Sequence, residues 1–352
     1  MGRLGRICFV LFLVAMLSLG SFAMGPVGAQ GKPTLTIQGF GGLVDHSLME
    51  AAVKPFEAAY GIQVIFTPGA NSSAHITKLE AQRGHEPADL DLVDGGLWET
   101  AIAQGLYAPT PAAQAPNMTG LYPIGRLHAG YGPAFGLATV VLGYNKDHVP
   151  TPPTSWFDLW DPKYKSHVGM FNLDNTGGPM LLNLIAHVLG GSATDITPAM
   201  KKFAQLKEND PQFYTLSPKE VQAFAQGDLW LAPIFNGQAL NLIRSGGPLG
   251  VVYPKEGAIV DPLAINIVAG TPHAKEAAMF INYLLRPDVQ VQFAQLSGYA
   301  SVNEKAVLPP GLVAETSAYG KERVSRLFQP EWGVIAAHLN DWVKTWDDTV
   351  LK

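Results

Sequence analysis

Cysteine is nearly missing from this 352-residue chain: the single one, Cys8, lies inside an apolar N-terminal stretch. Phe9 follows it, not the small residues of a lipid-attachment site, so a lipid-modified cysteine is not expected. Beyond Cys8 there is no thiol nucleophile, no disulfide and no cysteine metal site. Basic charge is also short. Without residues 1–29, which carry Arg3 and Arg6, 22 basic side chains face 29 acidic ones, a net charge of −7. That balance argues against nucleic acid and anionic membrane as partners. Catalytic signatures are missing too: there is no G-x-S-x-G and no H-E-x-x-H. The nine histidines are scattered, and no two stand four residues apart. His46, His75 and His85 fall near early loops, where a lone histidine more often caps or faces solvent. Gly39-Phe40-Gly41-Gly42-Leu43-Val44 puts valine where the dinucleotide fingerprint needs its third glycine. No cofactor and no metal are expected.

The long apolar run is Ile7 to Ala23, behind the basic Arg3 and Arg6 and ahead of the small residues Val27-Gly28-Ala29. It is short for a membrane span and has the three parts of an export signal. Residues 1–29 are therefore expected to be removed, giving a soluble periplasmic protein that begins near Gln30. About 323 residues remain, enough for two domains. There is no low-complexity tract and no internal repeat.

One grammar recurs along the chain: strand, polar glycine loop, helix. Leu35-Thr36-Ile37 reads as a strand that runs into Gly41-Gly42. Leu48, Ala52, Phe56 and Tyr60 share one face of the following helix, Pro55 kinks or restarts it, and Gly61 ends it. Ile62 to Phe66 is a second strand, before a helix that Asn71-Ser72-Ser73 can cap. Leu90 to Val93 is a third, ending at Asp94-Gly95-Gly96. This βαβαβα order predicts a mostly parallel, doubly wound sheet. Gly136 to Asn145 then makes a long strand, and a second α/β pattern follows. Its loops are Asp174-Asn175-Thr176-Gly177-Gly178, with Pro179 just inside a helix, and Phe235-Asn236-Gly237. Ligands of open parallel sheets bind where strands hand over to helix N-termini, whose free N–H groups favour anionic groups. Each loop alone could be no more than a tight turn.

Ser155-Trp156-Phe157-Asp158-Leu159-Trp160-Asp161-Pro162-Lys163-Tyr164-Lys165 resembles a stretch of the bacterial periplasmic solute-binding proteins of ABC importers, in their polyamine (spermidine/putrescine) group. Leu142-Gly143-Tyr144-Asn145, Tyr253-Pro254-Lys255-Glu256-Gly257, and Leu284-Leu285-Arg286-Pro287-Asp288-Val289 with Gly298-Tyr299 agree with it in order. The resemblance implies the two-lobed type II binding-protein fold, each lobe a mostly parallel doubly wound α/β sheet, with the ligand cleft between them. Strands near 137–142 and 261–268 would cross between lobes. Lobe one would hold 30–137 and 262–310; lobe two would hold 138–261, with 311–352 packed on it. The implied function is capture of a small amine-bearing solute by lobe closure and delivery to ABC permease subunits in the inner membrane, by a monomer.

The implied site takes Gly41, Gly42, Asn71, Ser72, Ser73, Asp94 and Trp98 from lobe one. Asp174, Asn175, Thr176, Phe235, Asn236 and Asp261 would complete it. Asp261 matches the family's cleft aspartate, which pairs with an ammonium; otherwise it only caps a turn before Pro262. Phe235-Asn236 stands for the family's Trp-Asn, and the 174–178 loop keeps at most one of the family's carboxylates. A diamine needs an anion at each end, because an unpaired buried ammonium costs several kcal/mol. A polyamine and an amino acid-like zwitterion therefore both stay open. A receptor for a phosphonate or phosphate ester, on Ser72, Ser73 and Thr176, is the alternative, and a secreted enzyme the remote one. Trp156, Trp160, Trp332, Trp342 and Trp346 read as packing residues.

Overall fold

The computed structural model describes residues 33–69, 71–316 and 318–352; the expected export signal, residues 1–29, lies outside the described residues. Strand β1 (Thr34–Gly39) buries Leu35, Ile37 and Gln38 together, as a strand covered on both faces must. It sits between β2 (Gln63–Pro68) and β3 (Leu90–Val93) and pairs with both in parallel. Helix α1 (Gly42–Leu48), a π turn over Met49–Val53 and α2 (Lys54–Tyr60) run on from one another. Pro55 falls in the first turn of α2, so its missing N–H is absorbed at a restart of the helix, with the widened turn ahead of it. Gly61, at φ 68°, ends α2 as expected and donates its N–H to Glu57 O at 2.9 Å.

Helices α3 (Ser72–Ala81) and α4 (Leu97–Ala103) follow β2 and β3, and the short β4 (Tyr107–Ala108) comes next. Two long strands then tie the molecule together: β5 (Ala134–Asn145) and, much later, β10 (Ile259–Val268). At about 3.3 Å per residue, the 12 residues of β5 span both lobes. Its first half pairs with β10, and its second half with β8 (Leu231–Phe235) and β9 (Leu249–Val252). All these pairings are antiparallel, as is that of β10 with β3. The parallel arrangement thus belongs to β2-β1-β3 and to β6 (Gly169–Phe171) with β7 (Gln212–Tyr214), whereas the crossing strands run against their neighbours.

Around the second set of strands lie α5 (Gly177–Val188), α6 (Thr197–Ala204), α7 (Ser217–Gln226) and α8 (Asn236–Arg244). Helices α9 (Ala274–Leu284) and α10 (Pro287–Ser297) return to the first lobe, where Phe280 meets Phe56 edge-on at 5.2 Å. The C-terminal segment divides. Leu312 of α11 (Pro310–Glu315) packs with Ala294 of α10, and α12 (Gly320–Ser325) follows. Helix α13 (Trp332–Trp346) instead buries Trp342 and Trp346 with Trp156, Phe171 and Phe203. Of the segment 311–352, expected as a whole on lobe two, α11 thus packs its apolar face on α10 and α13 packs among Trp156, Phe171 and Phe203.

Candidate functional site

The first loop is closed on itself. Gly41 and Gly42 adopt φ 74° and 57°, and the Asp45 carboxylate accepts the Phe40 N–H at 3.0 Å and also that of Gly41. A side chain at Gly39 would collide with that carboxylate, so the glycine there makes room for it. Burial pushes the Asp45 pKa up in spite of these bonds. The loop offers fewer free donors than two adjacent glycines suggest.

The second and third loops lock together. Ser72 donates to Asp94 Oδ1 at 2.6 Å and accepts the Asp94 N–H at 3.0 Å. Asn71 is exposed and spends its side chain on the Ala74 N–H as the N-cap of α3, at 2.9 Å. Ser73 is exposed, and its carbonyl accepts from Thr77. Of this trio, Ser72 alone is turned toward Asp94.

Gly95 then donates its N–H to Asp261 Oδ1 at 3.1 Å. Asp261 is 1% exposed, and its Oδ2 has no hydrogen-bond partner. Burial, and then the like charge of Asp94, push its pKa well above the carboxylate range against the pull of the Gly95 bond. Asp94 is half-buried; its pKa too is raised by burial, against Ser72 and the His75 charge. Tyr299 joins them. Its hydroxyl pKa is driven up by burial and then by the charges of Asp94 and Asp261, and its ring covers Gly237, where any side chain would collide with it. The sequence reading placed Gly298-Tyr299 at a helix exit and missed the tyrosine as a site residue; an aromatic directly after a C-cap glycine was the available signal.

The second lobe closes over this group. A Cβ on Gly95 would lie 3.0 Å from Thr176 Cγ2, and one on Gly96 would collide with Trp332. The remaining candidates are redirected. Asp174 is exposed and accepts from the Thr215 hydroxyl at 3.1 Å. Asn175 spends its oxygen on the Gly177 N–H and its amide on Thr215 O. Asn236 accepts the Thr139 N–H at 2.9 Å and donates to Gly298 O at 2.8 Å, so both ends of its amide tie strands and turns together. Asn175 and Asn236 thus spend both ends of their amides, and Asn71 its oxygen, on bracing their own loops. Trp98 is 3% exposed and packs with Val93, Ala264 and Val268. It lines, with Val260, Pro262 and Trp332, a cavity of about 180 Å³. Phe235 stays near the group: the pairings Asp261–Ala138 and Val140–Phe235 put it on the same face of the sheet as Asp261.

Behind the third loop His75 is 1% exposed and bonds Asp91 Oδ1 and Leu92 O through Nδ1, both at 2.9 Å. Burial opposes its charge, but Asp91, the Leu92 carbonyl and Asp94 outweigh it and raise its pKa. His46 and His85 are exposed. Among the described residues no three His, Cys, Asp or Glu groups are placed to hold a metal ion.

Residues 51–319 match the family model described as bacterial extracellular solute-binding protein. This chain belongs to that family. The solute-binding protein is 27% identical to the spermidine/putrescine-binding periplasmic protein of Escherichia coli over 86% of its own length and 88% of the relative's. To the protein of the same name from Salmonella typhimurium it is 32% identical over 51% of this chain, spanning about half (52%) of that relative. Its fold is that of an ABC transporter crystal structure from Clostridium perfringens, with TM-score 0.76, 23% identity, and coverage of 91% of this chain and 100% of that one. No helix among the described residues is long and apolar enough to cross a membrane. Asp94 and Asp261 lie close enough for the charge of one to act on the other, and Asp261 Oδ2 has no hydrogen-bond partner.

Proposed function

We propose that this protein captures a small amine-bearing solute by closing its two lobes on it and delivers it to an ABC permease in the inner membrane. The observation that carries this reading is Asp261 Oδ2: a carboxylate oxygen at 1% exposure, without a partner, beside a second carboxylate. Burying such a charge is costly unless a cation meets it, and an ammonium supplies both the charge and the missing donors. An anion receptor would need positive charge where Asp94 and Asp261 stand. The names of the Escherichia coli and Salmonella relatives point the same way.

Residues 1–29 act as the export signal in this reading, and the mature protein is a periplasmic monomer that binds without catalysis. Lobe one comprises 30–137 and 262–310 with α11 and α12 added, and lobe two comprises 138–261 with α13 packed on it. Native mass spectrometry of the secreted protein, purified without added solute, tests both parts. An intact chain starting near Gln30 that retains an amine supports them; a retained anion lacking nitrogen, or a lipid adduct, counts against them.

A further inference from the structure

Resting on the amine reading, we propose that His75 is a positioning residue for the site: its imidazole is the wedge on which three loops of lobe one meet, and it fixes where Asp94 and Gly95 stand when solute arrives. Each loop touches the ring. Phe40, in the loop after β1, stacks on it with centroids 5.9 Å apart and planes 18° apart. Gly69, just past β2, lies against Nε2, and a Cβ there would stand 1.9 Å from that nitrogen. The glycine leaves the room that the ring needs. At the end of β3, Nδ1 meets two oxygens, Asp91 Oδ1 and Leu92 O, both at 2.9 Å. Both partners accept, so this nitrogen carries the proton.

The grip continues one turn earlier. Ser72 and His75 stand three residues apart on one face of α3, and Ser72 exchanges two hydrogen bonds with Asp94, at 2.6 and 3.0 Å. Helix α3 thus holds β3 and its loop at Asp91, Leu92 and Asp94, and the next residue, Gly95, gives its N–H to Asp261. Asp91 anchors the ring. It is wholly buried and also accepts from Gln38 Nε2 at 3.2 Å and from the Tyr107 hydroxyl at 2.5 Å. Replacing the imidazole therefore frees the strand end that presents Asp94. The charges that act on His75 are acidic: Asp91 and Asp94 on β3 and its loop, and Asp45 on α1, with Tyr107 of β4 reaching it through Asp91. Burial works against an imidazolium here, but Asp91, the Leu92 carbonyl and Asp94 outweigh it and hold the proton to a higher pH than usual. A solute ammonium beside Asp94 adds positive charge, so bound solute should loosen that proton.

NMR titration of the histidine rings and calorimetry test this, on the solute-free full chain with putrescine and γ-aminobutyrate as probes. The His75 resonance is the one missing from His75→Asn. With an amine bound, its titration should move to lower pH, whereas a histidine that only fills the core titrates alike with and without solute. His75→Leu fills the space without the N–H and should weaken the amine about tenfold. His75→Asn returns an N–H near the Nδ1 position but loses the ring, so it should recover most of that affinity even at a lower melting temperature. Three results each overturn the inference while keeping the amine reading: affinity unchanged in His75→Leu, affinity that follows melting temperature across the two variants, or a His75 titration unmoved by bound amine. Should His75→Leu not fold, the wild-type titration decides alone. If neither amine binds the wild type, the amine reading itself fails and this inference goes with it.

Discussion

Asp261 holds one hydrogen bond for two carboxylate oxygens, and its burial is the reverse of what stability would select. In the unfolded chain it ionises at an ordinary pH; in the fold it keeps its proton to a higher one. Between those two values the native state binds more protons than the unfolded state, so this residue makes stability fall as pH rises. Asp261→Asn should therefore raise the melting temperature of the ligand-free protein at neutral pH. The same change should weaken binding of an amine by on the order of 3–5 kcal/mol, more than a hundredfold. In the wild type, affinity should drop as pH falls through the raised pKa of the Asp94–Asp261 pair, because the protonated pair no longer attracts an ammonium. Thermal melts and calorimetry over pH check both halves. A turn-capping aspartate would give the opposite pattern, a lower melting temperature with affinity intact. The sequence marked Asp261 as a candidate from its place after Gly257, but not its burial or its bond to Gly95, nor that Asn71, Asn175 and Asn236 tie their own loops together. An amide in a glycine loop reads the same whether its hydrogen bonds go to ligand or backbone, and only the folded loop decides.

At the scale of elements, the alternation of strand, glycine loop and helix was readable because glycine, asparagine and proline mark where strands stop. Direction was not. Strand β10 is buried at every position, and such a run looks alike whether its neighbours are parallel or antiparallel. The glycines also differ in a way that the sequence hides. Gly41 and Gly96 share nearly the same φ, 74° and 71°, but a side chain would meet nothing within 4 Å at Gly41 and would collide with Trp332 at Gly96. Gly41→Ala should meet no clash and cost the backbone strain of a conformation that only glycine enters readily (φ 74°, ψ −174°), on the order of 1–3 kcal/mol. Gly96→Ala should cost more and should also weaken solute binding, because it pushes Trp332 off the loop that carries the Gly95 N–H to Asp261. Equal melting temperatures and affinities for the two variants would mean that Trp332 yields freely and that the loop does not depend on it.

At the scale of the molecule, Trp332 belongs to two hydrophobic clusters at once. It packs beside the second-lobe cluster of Trp156, Phe171 and Trp346, and beside the first-lobe cluster of Trp98, which it meets at 6.0 Å and 65°. Together with the approach of Thr176 to Gly95, it joins the lobes on both faces of the crossing strands. Such contacts can form only when the lobes are closed, so they should be broken each time solute enters or leaves. An edge-on aromatic pair adds about 0.5–1.5 kcal/mol beyond its buried area, which corresponds to about two- to tenfold in Kd. Trp332→Ala should raise Kd by that amount through a faster off-rate, since the contact holds the closed state and is absent while the open cleft admits solute. Scattering should show wild type compacting with saturating solute, and the variant compacting less at equal occupancy. The melting temperature should fall far less than for Trp342→Ala, which empties a core position. An unchanged off-rate together with an unchanged radius of gyration would make Trp332 a packing residue only, as its sequence first suggests, and would leave closure to the solute and the Asp94–Asp261 pair alone.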